Sequence, residues 1–283
     1  MSRGAGNAAR VEPLRGEEVE ARRLRIEALI FDVDGTLADT EEAHRRSFND
    51  AFRAHGLDFC WSRELYGELL QVTGGKERLA AFFDRTRLTE SRRERLRDLI
   101  PLLHATKTSF YRERIESGRV GLRPGVRRLM SEARAAGVRL AIASTTSPEN
   151  VTALLEGALG YEAVAEFSVI ATGDAVPRKK PAPDIYLLAL SRLGITARCA
   201  VAFEDSAMGV AAAKAAGLLT VVTPNDWSRG QDFAAADLVL PCLGDPAAPL
   251  NAADAWRIGS PYLGLEQLAI FHAAALPRRA PGS

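Results

Sequence analysis

The sequence predicts an α/β protein: a parallel sheet clothed by helices on both faces and interrupted after its first strand by a block of helices. Three observations carry this prediction. Short apolar runs alternate with helical patterns along most of the chain. The alternation stops between about residues 44 and 118, a stretch that is almost entirely helix-like and rich in Arg, Glu and Leu. Several apolar runs end on carboxylates or hydroxyls, at the strand ends where an open parallel sheet binds its ligand.

The runs at 26–34 (IEALIFDVD), 138–144 (VRLAIAS), 167–172 (FSVIAT), 199–205 (CAVAFED), 218–223 (LLTVVT) and 237–240 (DLVL) are bounded by turn residues. Near-continuous apolarity suits strands covered on both faces. Pro124 before GVRRLMSEARAAG, Pro148 after Ser147, and Pro183-Asp184 before IYLLALSRLG mark helix starts, where the missing proline N–H is not needed. Gly137, Gly194 and Gly217 stand where helices should stop. The expected layout is an N-terminal extension at 1–25, a sheet core at 26–43 and 119–243, a helical cap at 44–118 placed as a lid over the strand ends, and a C-terminal extension at 244–283. The leader reads as frayed or loosely helical. It has no signal-like apolar stretch, and Glu12, Glu17, Glu18 and Glu20 argue against a transit peptide. Near the other end, Leu265, Leu268, Ile270 and Phe271 predict a short amphipathic helix docked on the core, with a disordered tip. There is no internal repeat.

Composition excludes several function classes. Of 283 residues, 47% are hydrophobic and 26% charged, ordinary values for a globular protein. Lys+Arg 37 against Asp+Glu 36 leaves a net charge of +1, so no global field draws nucleic acid or an anionic membrane. No apolar run approaches the roughly 20 residues that span a bilayer. Cys60, Cys199 and Cys242 are widely spaced and odd in number, which suits a reducing, cytoplasmic setting and no cysteine metal cluster. Cys199, opening an apolar strand, reads as a free core cysteine. A monomer is expected.

The stretch LIFDVDGTLADTEEAH, residues 29–44, raises the functional question. An apolar strand ends by presenting Asp32 and Asp34, and an unpaired buried carboxylate costs several kcal/mol. Three further segments supply partners: Ser144-Thr145-Thr146 after the second run, Lys179-Lys180 in a loop directly before a helix, and Glu204-Asp205-Ser206 after the fourth run. Carboxylates suit a hard divalent cation, while hydroxyls, backbone N–H groups and an ammonium suit a phosphate. Each segment also has an ordinary reading. Asp32-x-Asp34-Gly35 alone could be a turn, although the apolar strand before it favours a functional reading, and a calcium loop fails because its glycine comes too early and Ala43 replaces the closing Glu. Ser144-Thr145-Thr146 could cap a helix, Lys180 could be a solvated loop lysine, and Glu204-Asp205 could favour a helix dipole. All four ordinary readings together would require four coincidences at strand ends.

The four segments resemble the four motifs of the haloacid dehalogenase (HAD) phosphatase superfamily, and within it the CbbY-like branch, close to phosphoglycolate phosphatases and β-phosphoglucomutases. FDVDGTLADTEEAH, TGGKERL, LAIASTTSPENV, RKKPAPDIY and FEDSAMGVAAAKAAGL carry the resemblance, which spans roughly residues 26–242. It implies a Rossmann-like parallel sheet core with an inserted helical cap. It also implies that Asp32 is the nucleophile forming an aspartyl-phosphate and that Asp34 is the acid/base. The implied cofactor is Mg2+, held by Asp32 and Asp205, the Asp34 main-chain carbonyl and Glu204. Ser144 and the Thr145 amide would grip the transferring phosphoryl group, and Lys180 would neutralise it. The implied substrate is a phosphorylated sugar. CbbY-like phosphatases remove the 1-phosphate of xylulose 1,5-bisphosphate, an inhibitor arising from a Rubisco side reaction, which links the branch to the Calvin cycle. A second phosphate needs its own seat. Thr73, Gly74, Gly75, Lys76 and Arg78 offer one at a loop-to-helix junction in the cap, against the plainer reading of an ordinary charged helix start. His44 matches a cap-hinge histidine of the mutases, or is an exposed helix histidine; Arg112 and Lys107 are weaker cap candidates. Thr36 favours a phosphatase over a mutase, and the intact Asp32, Asp34, Lys180 and Asp205 argue against a silent phosphosugar-binding protein.

Overall fold

A computed structural model describes residues 26–118 and 120–275. Six strands, β1 (Ala28–Phe31), β2 (Arg139–Ala143), β3 (Phe167–Ala171), β4 (Ala200–Glu204), β5 (Leu219–Val222) and β6 (Leu238–Val239), form one sheet. All pairings are parallel, in the order β3-β2-β1-β4-β5-β6. Every β1 residue is buried. Successive side chains point to opposite faces, so Leu29 and Phe31 join the core that includes Leu129, Ile142 and Leu154, whereas Ala28 and Ile30 join Ile185, Tyr186 and Leu190 on the other face. That two-sided burial is why the strands read as continuous apolar runs. The chain leaves β1 toward β2 on one side and returns as β4 on the other, which makes the β1–β4 junction the switch point where an open sheet accepts ligands.

Between β1 and β2 come α1 (Glu41–Ala54), α2 (Arg63–Leu69), α3 (Gly75–Arg85) and α4 (Glu90–Glu116) of the cap, then α5 (Val126–Ala135). The cap has its own apolar centre, built from Phe48, Phe52, Trp61, Tyr66, Leu79, Phe83 and neighbours. Its first helix begins at Glu41, ahead of the expected boundary at residue 44. Ala43 near the start of α1, and Tyr111 and Ile115 near the end of α4, are rooted in the core below the sheet. The remaining helices are α6 (Pro148–Leu159), α7 (Asp184–Leu193), α8 (Ala207–Ala215), α9 (Ala252–Ile258) and α10 (Leu265–Ala275).

Two expectations need correction, and one helix was not anticipated. Cys199 lies half-buried in a short 3-10 turn at Ala197–Cys199, before β4 instead of within it. The C-terminal helix docks through Leu268, Leu265 and Phe271, but Ile270 is 62% exposed. Residues two apart cannot share a helix face, so burying Leu268 turns Ile270 outward. The segment before that helix contains α9, which the sequence reading passed over although Asn251 caps it by accepting from the Asp254 N–H. The leader at 1–25 and the tip beyond residue 275 lie outside the described residues. Among the described residues, no helix is long and apolar enough to cross a membrane.

Candidate active site

The strand ends and the cap enclose one cleft, and Asp32 sits at its floor. Its backbone N–H extends the ladder by bonding the Phe203 carbonyl, which brings the ends of β1 and β4 together. Asp32, Glu204 and Asp205 are all buried, with ligand oxygens within 4.8 Å of one another. Lys180, buried with them, donates to Asp32 Oδ1 at 2.6 Å and to Glu204 Oε1 at 2.6 Å. The Tyr186 hydroxyl donates to the same Glu204 oxygen. Asn225 Nδ2 donates to Asp205 Oδ2 at 2.7 Å.

Three buried carboxylates thus cluster around one ammonium that bonds only two of them. Burial pushes the Asp32 pKa up to about 7 against the pull of Lys180, with Glu204 adding to the rise. Burial, then Asp32 and Glu204, also push Asp205 well above the carboxylate range. Burial opposes the charge on Lys180, yet Asp32 and Glu204 outweigh it and hold the ammonium above its ordinary pKa. Glu204 Oε2 is buried with no hydrogen-bond partner. A divalent cation fits this set: it balances the charge excess, and all the donors are hard oxygens. The Asp34 carboxylate is outside the cluster; its expected contribution was the main-chain carbonyl.

Asp34, two residues on, has different company. Its Oδ1 receives Thr40 Oγ1 at 2.6 Å and His44 Nε2 at 2.8 Å. Lys107 Nζ lies 2.6 Å from His44 Nδ1, and the imidazole stacks on Tyr111 at 4.2 Å. With Lys107 donating to Nδ1, the His44 proton sits on Nε2 and points at Asp34. Burial works to raise the Asp34 pKa, but His44, Thr40 and Lys107 overcome it and hold the carboxyl well below its ordinary value. Burial also brings the Lys107 pKa down to about 7, against the pull of Asp34.

Ser144, Thr145 and Thr146 line the cleft beyond β2. The N-cap of α6 is Ser147, which makes no side-chain capping bond. The helix-cap reading therefore does not account for these hydroxyls. Ser206, by contrast, does cap α8 by accepting from the Gly209 N–H.

On the cap side, Thr73, Gly74, Gly75, Lys76 and Arg78 all line the same cleft, as does His44. Thr73 Oγ1 donates across the domain boundary to the Lys180 carbonyl at 2.6 Å. Lys76 Nζ faces Asp174 at 3.6 Å and Lys179 Nζ faces Glu77 at 2.8 Å, two further cap-to-core links. The Arg78 guanidinium donates to the Tyr66 hydroxyl at 2.9 Å and toward the Leu69 and Val72 carbonyls. Arg112 is an exposed helix residue near Glu116 and does not reach the cleft. Sequence reasoning missed Thr40, Tyr186 and Asn225. The spacing Thr40–His44 was the available signal, since residues four apart share a helix face. For Asn225 it was the end of β5, a strand end that was not followed up.

Residues 26–217 match the family model described as haloacid dehalogenase-like hydrolase. The chain belongs to that family. Protein CbbY encoded on a plasmid of Cupriavidus necator is 50% identical over 225 residues, covering 80% of this chain and 89% of the relative. Protein CbbY of Rhodobacter capsulatus is 50% identical over 224 residues, covering 79% and 96%. A crystal structure of a CbbY variant from Rhodobacter sphaeroides in complex with xylulose 1,5-bisphosphate superposes with a TM-score of 0.71 at 46% identity, covering 78% of this chain and 98% of that one. The chain is therefore a HAD-type phosphoric monoester hydrolase of the CbbY-like branch, on a Rossmann-like parallel sheet.

Proposed function

We propose that this protein is a Mg2+-dependent phosphatase that removes one phosphate from a sugar bisphosphate, xylulose 1,5-bisphosphate in particular, through an aspartyl-phosphate on Asp32. The observation that carries the reading is the opposite treatment of two neighbouring carboxyls: Asp32 sits beside Lys180 in the carboxylate cluster, and Asp34 beside a proton-bearing His44. The substrate assignment rests on the bisphosphate bound by the Rhodobacter sphaeroides relative.

Asp32 attacks phosphorus, its oxygen forms a bond to phosphorus, and the ester P–O bond breaks. Asp34 gives a proton to the leaving sugar oxygen, then takes one from the water that cleaves the acyl phosphate. Thr40 and His44 hold Asp34 as the carboxylate suited to that second step; for the first, Asp34 takes up a proton from solvent, which an arriving phosphate dianion favours by raising its pKa. Ser144 and the Thr145 amide hold phosphoryl oxygens, and Lys180 offsets their charge. Asp32, Asp205, Glu204 and the Asp34 carbonyl would hold Mg2+, which supplies charge neutralisation at the transferring phosphoryl group. Thr73, Gly74, Gly75, Lys76 and Arg78 form the seat for the distal phosphate in the cap. A mutase is the second reading, favoured by the Asp34–His44 contact.

Phosphate release across a panel of mono- and bisphosphorylated sugars, with and without Mg2+, tests the reading. One phosphate released from xylulose 1,5-bisphosphate only with Mg2+ is the expected result. An isomerised phosphosugar without net phosphate release would establish the mutase, and full activity in EDTA would remove the cofactor.

A further inference from the structure

The carboxylate cluster has two kinds of support. Lys180 reaches Asp32 and Glu204, but Asp205 is served from another direction, by the loop that follows β5. In that loop Asn225 is buried, and its side-chain orientation is settled by its neighbours. Its Oδ1 accepts from the Trp227 backbone N–H at 2.8 Å, so Nδ2 is the end that donates to Asp205 Oδ2 at 2.7 Å. The same nitrogen points toward the Gly35 carbonyl at 3.4 Å.

The loop around it is fastened at every turn. The Asn225 N–H donates to Ser228 Oγ at 3.0 Å, and the Asn225 carbonyl accepts from the Arg229 N–H at 2.9 Å. The buried Arg123 guanidinium ties the loop to the nucleophile strand's turn, donating to the Gly35 carbonyl at 2.6 Å and to the Pro224 carbonyl at 2.8 Å. Gly35, at φ +82°, has no room for a side chain: a Cβ there would lie 2.4 Å from both Asn225 Nδ2 and Asp205 Oδ2. On its outer side Trp227 packs edge-on against Tyr66 of the cap, with ring centroids 5.4 Å apart.

We infer that Asn225 is a positioning residue for the cation site: by binding one oxygen of Asp205 it fixes the rotation of that carboxylate and presents it to Mg2+. Outer partners of this kind orient ligand carboxylates, and their loss typically weakens metal binding about 10- to 100-fold. Asp205 lies in the short link between β4 and α8, and the Asn225 amide donates to its carboxylate there. The inference rests on the proposed Mg2+ site and assigns no contact between Asn225 and substrate.

Calorimetric titration of Mg2+ into wild type, Asn225→Ala, Asn225→Leu and Asp205→Ala tests it, with thermal midpoints measured in EDTA. Asn225→Leu keeps the branched side-chain shape while removing the donor together with the Oδ1 acceptor, which guards against a collapse of the loop in the alanine variant. The expected result is Mg2+ affinity lowered about 10- to 100-fold in both Asn225 variants, with kcat recovering as Mg2+ is raised and EDTA midpoints close to wild type. Wild-type Mg2+ affinity in both Asn225 variants, alongside loss of binding in Asp205→Ala, would overturn the inference and leave the cofactor reading standing. Absence of Mg2+ binding in the wild type itself would overturn the cofactor reading, and the inference with it. A low kcat that excess Mg2+ cannot restore would also overturn it, since that pattern marks a purely structural residue.

Discussion

The two walls of the cleft floor begin from one tripeptide, Asp32-Val33-Asp34, and treat their acids in opposite ways. On one wall Asp32 is set among two other buried carboxylates with a single ammonium between them, and its pKa climbs to about 7. On the other, Asp34 is somewhat less buried and faces a hydroxyl and an imidazole backed by a second lysine, and its pKa falls. Burial raises both: it prevails at Asp32, where neighbouring carboxylates offset the pull of Lys180, and is overcome at Asp34, where His44, Thr40 and Lys107 all favour the charged form. Pairs of acids pushed apart in this way are how one site runs nucleophilic and proton-transfer chemistry side by side.

The largest test of the contrast removes one acid outright. Asp32→Asn should abolish turnover, lowering kcat by about 10⁴-fold or more, while circular dichroism shows an intact fold. Appreciable phosphate release from a clean preparation would show that the nucleophile lies elsewhere.

His44→Ala breaks the other wall. Without the imidazole donor the Asp34 pKa rises toward its ordinary value, so the acid limb of the kcat profile, which reports the carboxylate needed for the water step, should move to higher pH, with activity down about 10- to 100-fold. An unmoved acid limb would mean that His44 serves only the hinge.

Linkage gives a third test. A carboxyl whose folded pKa is raised loses stability as pH climbs from its unfolded value, near 4, through its folded value, about 7 for Asp32. The metal-free protein should therefore carry a penalty from Asp32 at neutral pH that is absent at pH 4, and Mg2+ should relieve it. The rise in thermal midpoint on adding Mg2+ should be larger at pH 7.5 than at pH 5. An equal rise at both would place the ion away from Asp32.

The smallest effect is reserved for the cap. Lys76 is about half-exposed and paired with Asp174, so Lys76→Ala should lower kcat/KM for a sugar bisphosphate by about 10-fold, the loss of one charge-assisted contact. A small monophosphate should be hydrolysed at nearly the wild-type rate. Equal losses on both substrates would make Lys76 a support of the fold.

Strand number, order of elements and the helical insert were legible because two-sided burial writes itself as short apolar runs, and because helices announce their ends with Pro, Gly and small capping residues. The four motif segments were legible for a related reason: chemistry placed at strand ends interrupts an apolar run abruptly. Lys107 was hard to see because it lies on a long helix crowded with charges, where a buried lysine looks like its solvated neighbours. Its tie to His44 spans 63 positions and exists only once α1 and α4 are packed together. Asn225 was hard to see for the same reason: its partner Asp205 sits on a different strand end, and only its place after β5 marked it. Ile270 failed differently: hydrophobicity predicted the helix, but only the docking angle decided which apolar side chain faced inward.

The links between cap and core have a consequence for throughput. Lys76–Asp174 and Lys179–Glu77 bind the lid to the base with charges that are partly open to solvent. In the proposed reaction, entry of a sugar bisphosphate past these pairs would require them to open once in every cycle. Dissolved salt screens such pairs and quickens the opening, but it equally weakens the pull of the cleft's lysines on an anionic visitor. The two influences oppose each other, and catalytic throughput should pass through a maximum as ionic strength is raised. The background electrolyte thereby acts as a lubricant up to that point and as a competitor beyond it.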